Sequence, residues 1–145
     1  MCREHGLTLS VLAAEQALEG FGLFGVIKET GVDDEGLMDF MKVFPEALYR
    51  DEELVLYKAM GDNRLSVSGM LFGMVFRYKK MKEMNQRLKE KNLEGNLKGE
   101  GLKQGGIIIF DKSGSPVYSF AEETGQDLPI EEIVGAVMSV RNAQK

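Results

Sequence analysis

The chain opens Met1-Cys2-Arg3-Glu4-His5, which sets its one cysteine and its one histidine three residues apart. Where such a segment begins a helix, unpaired backbone N–H groups and the positive end of the helix dipole lie beside the thiol and favour its thiolate. A cysteine so placed is reactive; the alternative is an ordinary reduced cysteine, a residue type commonly buried as a small hydrophobe. His5 falls one turn further along, where it could hydrogen-bond the sulfur. Otherwise it is a lone polar surface histidine. One Cys and one His exclude a Cys/His zinc site and an internal disulfide framework, and with no second His the paired-histidine metalloprotease helix is excluded too. Neither a metal nor a cofactor is expected.

Three other groups of residues invite chemistry. The twelve residues from Gly95 to Gly106 hold five glycines. They suggest a phosphate cradle, but the run precedes a strand instead of following one, and it has neither G-x-G-x-x-G nor a G-K-[ST] ending. A close-packed loop beside a sheet end fits better. From Arg77 to Lys91 there are seven basic and two acidic residues in a chain of net charge −5. That basic helix is either a solvated face over a methionine-lined stripe or a surface for a partner or an anionic membrane. Nucleic acid is not expected, because the protein is acidic overall and the patch lacks aromatic stacking platforms. The adjacent carboxylates at Asp33-Asp34-Glu35, Glu122-Glu123 and Glu131-Glu132 suit helix starts or turns and carry no chemistry of their own.

The elements that position these residues follow from hydrophobic spacing. Leu7, Val11, Ala14 and Leu18 predict a first helix that ends at Gly20-Phe21-Gly22. Leu23 to Ile27 is a continuous apolar run, which predicts a strand covered on both faces. Leu37, Phe40, Met41 and Phe44 form a helix closed by Pro45, and Ala47-Leu48-Tyr49 a short strand. Asp51 caps a helix through Leu54 and Tyr57 that stops at Gly61. A longer helix runs from Val67 through Met81 towards Leu88. Ile107 to Phe110 and Val117 to Phe120 make a hairpin, and Ile130, Ile133, Val134, Val137 and Met138 a last helix entered through Pro129. The order describes one α/β layered domain, the hairpin adding antiparallel strands to an otherwise parallel sheet. It begins on a helix, where a βαβ arrangement enters through a strand.

The 145 residues, 43% of them apolar, with eight Phe and four Tyr spread along the chain, suffice for one globular core. No apolar run approaches the length of about 18 residues that crosses a bilayer. The first residues lack the apolar centre of a signal peptide, and with a single cysteine a reducing, cytoplasmic setting is expected.

Cys2-Arg3-Glu4, Leu9-Ser10 and Gly22-Leu23-Phe24-Gly25-Val26-Ile27-Lys28-Glu29 resemble the active-site helix and following strand of the peroxiredoxin-like redox-regulatory family. This is the prostamide/prostaglandin F synthase and selenoprotein U group within the AhpC/TSA thioredoxin-fold proteins. The similarity continues through Tyr49-Arg50-Asp51, Leu56-Tyr57-Lys58-Ala59-Met60-Gly61, Gly95-Asn96-Leu97-Lys98-Gly99-Glu100-Gly101, Gln104-Gly105-Gly106 and Glu122-Glu123-Thr124-Gly125, so it covers nearly the whole chain. It implies a single thioredoxin-like domain over 1–145 with a Cys-x-x-Cys or selenocysteine-x-x-Cys site. Cys2 matches the second, resolving position, and its partner would lie two residues before Met1. On that reading the domain is incomplete at the N-terminus and lacks the strand leading into the motif, as a selenocysteine codon read as a stop would cause.

The same resemblance implies that Arg3 and the helix N-terminus stabilise the Cys2 thiolate and that the Gln104-Gly105-Gly106 turn flanks the site and contacts substrate. It implies thioredoxin or glutathione as reductant and a peroxide or lipid endoperoxide as substrate. The chain by itself is then expected to be marginally stable and nearly inactive, with Cys2 forming an intermolecular disulfide or a glutathione adduct on oxidation. The rival is a non-catalytic thioredoxin-fold binding module that presents Arg77 to Lys91 to a partner or membrane surface.

Overall fold

The computed structural model describes residues 2–28, 30–31, 33–60, 82–83, 86–87, 89–90, 105–122 and 126–143. Within them the elements run α1 (Cys2–Ala14), β1 (Phe24–Ile27), α2 (Asp34–Val43), β2 (Ala47–Arg50), α3 (Val55–Ala59), β3 (Gly106–Phe110), β4 (Pro116–Ala121) and α4 (Ile130–Ala143). The long basic helix and the glycine-rich run fall mostly outside the described residues; residues 82–83, 86–87 and 89–90 are helical.

The first helix occupies a different stretch from its apolar spacing. It starts at Cys2 and ends at Ala14, and Leu18 is buried in the turns that follow. Gln16, at φ 61°, and Gly20, at φ 86°, turn the chain there in the left-handed region. Val11 is 44% exposed, so the expected Leu7, Val11, Ala14 line is not the buried face. Leu12 and Ala13 instead pack against the core.

Strands β1 and β2 pair in parallel, with Phe24 opposite Ala47 and Ile27 opposite Arg50. The connection between them is α2. Asp33 caps that helix by accepting the Gly36 N–H at 3.2 Å, and Lys42 stands in its last turn, where a cation suits the dipole. Phe40 stacks on Phe44, which is buried against Gly25 of β1, while Met41 of the expected apolar stripe is exposed. The expectation that β1 is covered on both faces is not met: Phe24 is half-exposed and meets Tyr49 of β2 edge-on, and Tyr49 is itself exposed. Asp51 holds the start of α3 from four residues away, accepting the Val55 and Leu56 N–H groups at 2.8 Å each. Leu54 takes the left-handed backbone at the cap itself.

Strands β3 and β4 form the predicted hairpin, antiparallel, with Gly106 opposite Ala121 and Ile109 opposite Tyr118. At its tip Asp111 Oδ1 accepts from the Ser113 and Ser115 N–H groups and from the Ser113 hydroxyl. Among the described residues the parallel pair and the hairpin are two separate two-stranded sheets, not one mixed sheet. The core joins Leu18, Ile109 of β3 and Ile133 and Val137 of α4, with Leu12, Phe21, Leu23, Ile107, Tyr118 and Leu128 packed around them. The buried face of α4 is Ile133, Val137 and Val140. Ile130 and Met138, part of the apolar spacing that predicts this helix, lie off that face and are exposed.

Candidate functional site

Cys2 is the first residue of α1, so the expected helix N-terminus is where the sequence put it. Three side chains of that first turn are tied to distant parts of the chain. Arg3 turns towards α2: its guanidinium lies 3.6 Å from Asp39 Oδ2 and donates to the Gly36 carbonyl at 3.4 Å. Lys42, which donates to Asp39 and stands beside it, holds that carboxyl below its ordinary value, with Arg3 adding to the effect.

Glu4 is buried, and a buried carboxylate needs a cation. Arg87 supplies it, donating from Nε to Glu4 Oε1 at 3.2 Å while its terminal nitrogen lies 2.9 Å from Asp127 Oδ1. One guanidinium thus links the start of α1, the helical residues 86–87 and the segment entering α4. It also offsets the negative charge that Glu4 buries in the first turn of α1.

His5 is buried too, 9% exposed, which removes the reading of it as a polar surface residue. Its Nδ1 lies 3.3 Å from Glu122 Oε1. Glu122 is buried at the end of β4, and its N–H donates to the Gly105 carbonyl at 3.0 Å, one step beyond the Gly106 to Ala121 pair. A carbon at Gly105 would meet Glu122 Oε2 at 3.7 Å. The structure therefore brings the Gly105-Gly106 end of the glycine run to the first turn of α1, with Glu122 between them. Gln104 lies outside the described residues.

Gly106 itself is tightly enclosed. A Cβ there would run into the Phe120 carbonyl and approach Met60 Sδ to 2.8 Å, so the hairpin base also meets the end of α3. Sequence reasoning singled out Cys2, Arg3, Gly105 and Gly106 but gave Glu122 no chemistry and did not see Glu4, Arg87 or Asp127 as one network. Nothing local marks Glu122, which follows the strand run Val117 to Phe120 after Ala121, nor the Arg87 to Glu4 pair, whose partners are 83 residues apart. Among the described residues no three His, Cys, Asp or Glu side chains gather as metal ligands, and no helix is long and apolar enough to cross a membrane.

The model of the "AhpC/TSA antioxidant enzyme" family matches residues 8–124. Prostamide/prostaglandin F synthase of Salmo salar is 30% identical over 151 residues, which cover 99% of this chain and 71% of that protein. The Homo sapiens protein of the same name is 30% identical over 141 residues, 92% of this chain and 67% of that protein. That of Xenopus tropicalis is 28% identical over 152 residues, 100% of this chain and 73% of that protein. No solved structure matches.

Proposed function

Because this chain belongs to the AhpC/TSA antioxidant enzyme family, a peroxiredoxin-like group of thioredoxin-fold proteins, we propose that it is a thiol oxidoreductase in which Cys2 is the resolving thiol. The substrate is a peroxide or an endoperoxide, and thioredoxin or glutathione returns the site to its reduced state. The observation that carries the reading is the convergence of a helix N-terminus at Cys2, the Gly105-Gly106 turn and a buried His5 to Glu122 pair. A resolving thiol needs those features: it must ionise, and it must sit where a second sulfur or selenium can reach it. Arg3 contributes positive charge to the same turn, tempered by its link to Asp39.

The similarity to prostamide/prostaglandin F synthases supports a substrate of the prostaglandin class. The membrane-surface alternative draws on a basic stretch of which Arg87 is already engaged with Glu4 and Asp127.

The test places a cysteine two residues ahead of Met1, so that the pair reads Cys-x-Met1-Cys2, and follows thioredoxin-coupled consumption of hydrogen peroxide and of a prostaglandin endoperoxide. Turnover is expected in the extended form and is lost in its Cys2→Ser variant. Equal rates with and without Cys2 would sink the assignment.

A further inference from the structure

We propose that Met60 is a peroxide-sensitive modification site, at which oxidation of the thioether to the sulfoxide loosens the junction between the end of α3 and the base of the hairpin. The inference does not involve Cys2 and stands whether or not the chain turns over peroxide. Nine methionines are spread through the sequence, and four of them, Met38, Met41, Met60 and Met138, lie among the described residues. Met38, Met41 and Met138 are exposed, so an oxygen added to any of these three is solvated and costs little packing.

Met60 differs from them. It is half-buried at the C-cap of α3, where its N–H donates to the Leu56 carbonyl at 3.0 Å and fixes the residue at the end of the helix. Its sulfur closes on Gly106, the first residue of β3: a Cβ built on that glycine would lie 2.8 Å from Met60 Sδ and would run into the Phe120 carbonyl. Sulfur and carbonyl thus crowd the space that the absent side chain leaves. Gly106 is itself fixed by its pairing with Ala121, and one step further along the two strands the Glu122 N–H donates to the Gly105 carbonyl at 3.0 Å. Whatever displaces Gly106 therefore strains the hydrogen bond that holds Gly105 against Glu122.

The reaction needs only a hydroperoxide. A lone pair of the Met60 sulfur attacks one peroxide oxygen, and the S–O bond forms as the O–O bond breaks. The sulfur gives up two electrons, and the departing oxygen takes them together with the proton of the transferred hydroxyl. Thioether and hydrogen peroxide give sulfoxide and water; an organic hydroperoxide gives the alcohol instead. The product carries a polar oxygen where an apolar sulfur had packed. At Met60 that oxygen either enters space already filled at Gly106 and Phe120 or draws the side chain out to water, and the contact is lost in both cases. Sulfoxide reductases return the thioether, so the change is reversible.

The experiment treats the 145-residue chain with increasing hydrogen peroxide, reverses any disulfide with dithiothreitol, and divides each sample between peptide mapping by mass spectrometry and thermal unfolding by circular dichroism. Met38, Met41 and Met138 are expected to take up oxygen first. As Met60 follows, the midpoint is expected to fall by about 4 °C more than it does in Met60→Leu, a substitution of similar volume that cannot be oxidised. Methionine sulfoxide reductases A and B together restore the midpoint, and the combined variant Met38→Leu, Met41→Leu, Met138→Leu loses it as the wild type does. Met60 left unoxidised once the three exposed methionines are converted would overturn the proposal, as would an equal fall in Met60→Leu. If Met60→Leu does not fold, the combined variant decides alone: a midpoint that holds while its Met60 is oxidised overturns the assignment.

Discussion

Asp111 shows how much one carboxylate can organise when the chain around it turns back on itself. Its Oδ1 accepts from Ser113 Oγ at 2.6 Å and from the Ser113 and Ser115 N–H groups, and the hydroxyl bond first, with the backbone donors behind it, holds the carboxyl below the ordinary aspartate value. A folded value lower than the unfolded one means that the stability it lends is present above the unfolded value and is lost as pH falls through the folded one. We expect a carboxyl NMR titration to place Asp111 below ordinary aspartates and to move it back towards them in Ser113→Ala; no movement would mean that the backbone donors alone set it. The turn was legible because Asp, Ser, Gly and Pro cluster within six residues. The start of α1 at Cys2 was legible from residues close to it in sequence. Glu122 was not: its role exists only once β4 has been laid against β3, and no local pattern records what lies across a sheet.

At the scale of elements, periodicity located nearly every described segment but misjudged which side chains they bury. Val11, Met41, Ile130 and Met138 match apolar spacing and are exposed, because a half-turn error in the axis of a helix moves a residue from one face to another without altering the spacing. Two glycines separate packing from backbone effects. Gly106→Ala drives a methyl into the Phe120 carbonyl and Met60, and should destabilise the protein by about 1–3 kcal/mol. Gly135→Ala, in the interior of α4 with nothing within 4 Å of the added carbon, should stabilise it by about 0.5–1 kcal/mol. Urea denaturation of the two variants checks both signs, and a stabilised Gly106→Ala would show that the hairpin base is looser than described. Register was beyond the sequence as well: the expectation of one mixed sheet came from strand order, while the pairing among the described residues is β1 with β2 and β3 with β4.

Over the whole molecule, stability concentrates where α1, the hairpin and α4 meet. Ile133, 2% exposed, is the largest fully buried side chain among the described residues, and Leu18, Ile109 and Val137 surround it. Ile133→Ala removes apolar area and leaves a cavity, and should cost about 3–4 kcal/mol, read as a lower midpoint in thermal or urea unfolding. A loss under about 1 kcal/mol would mean that the site collapses to fill the space. The exposed Arg141 to Glu19 bridge, though it links α4 to the turns after α1 at 2.9 Å, should contribute far less. The anchoring of α1 also has a temporal side. A ribosome delivers Glu4 and His5 before their partners, since Arg87 follows Glu4 by 83 positions and Glu122 comes later still. The nascent chain thus carries Glu4 and His5 long before the groups that meet them exist, and contacts so distant in sequence close late in folding. The buried charges of the first turn therefore wait for the hairpin and for Arg87 before they are paired, so that turn is finished late in folding although it is synthesised early.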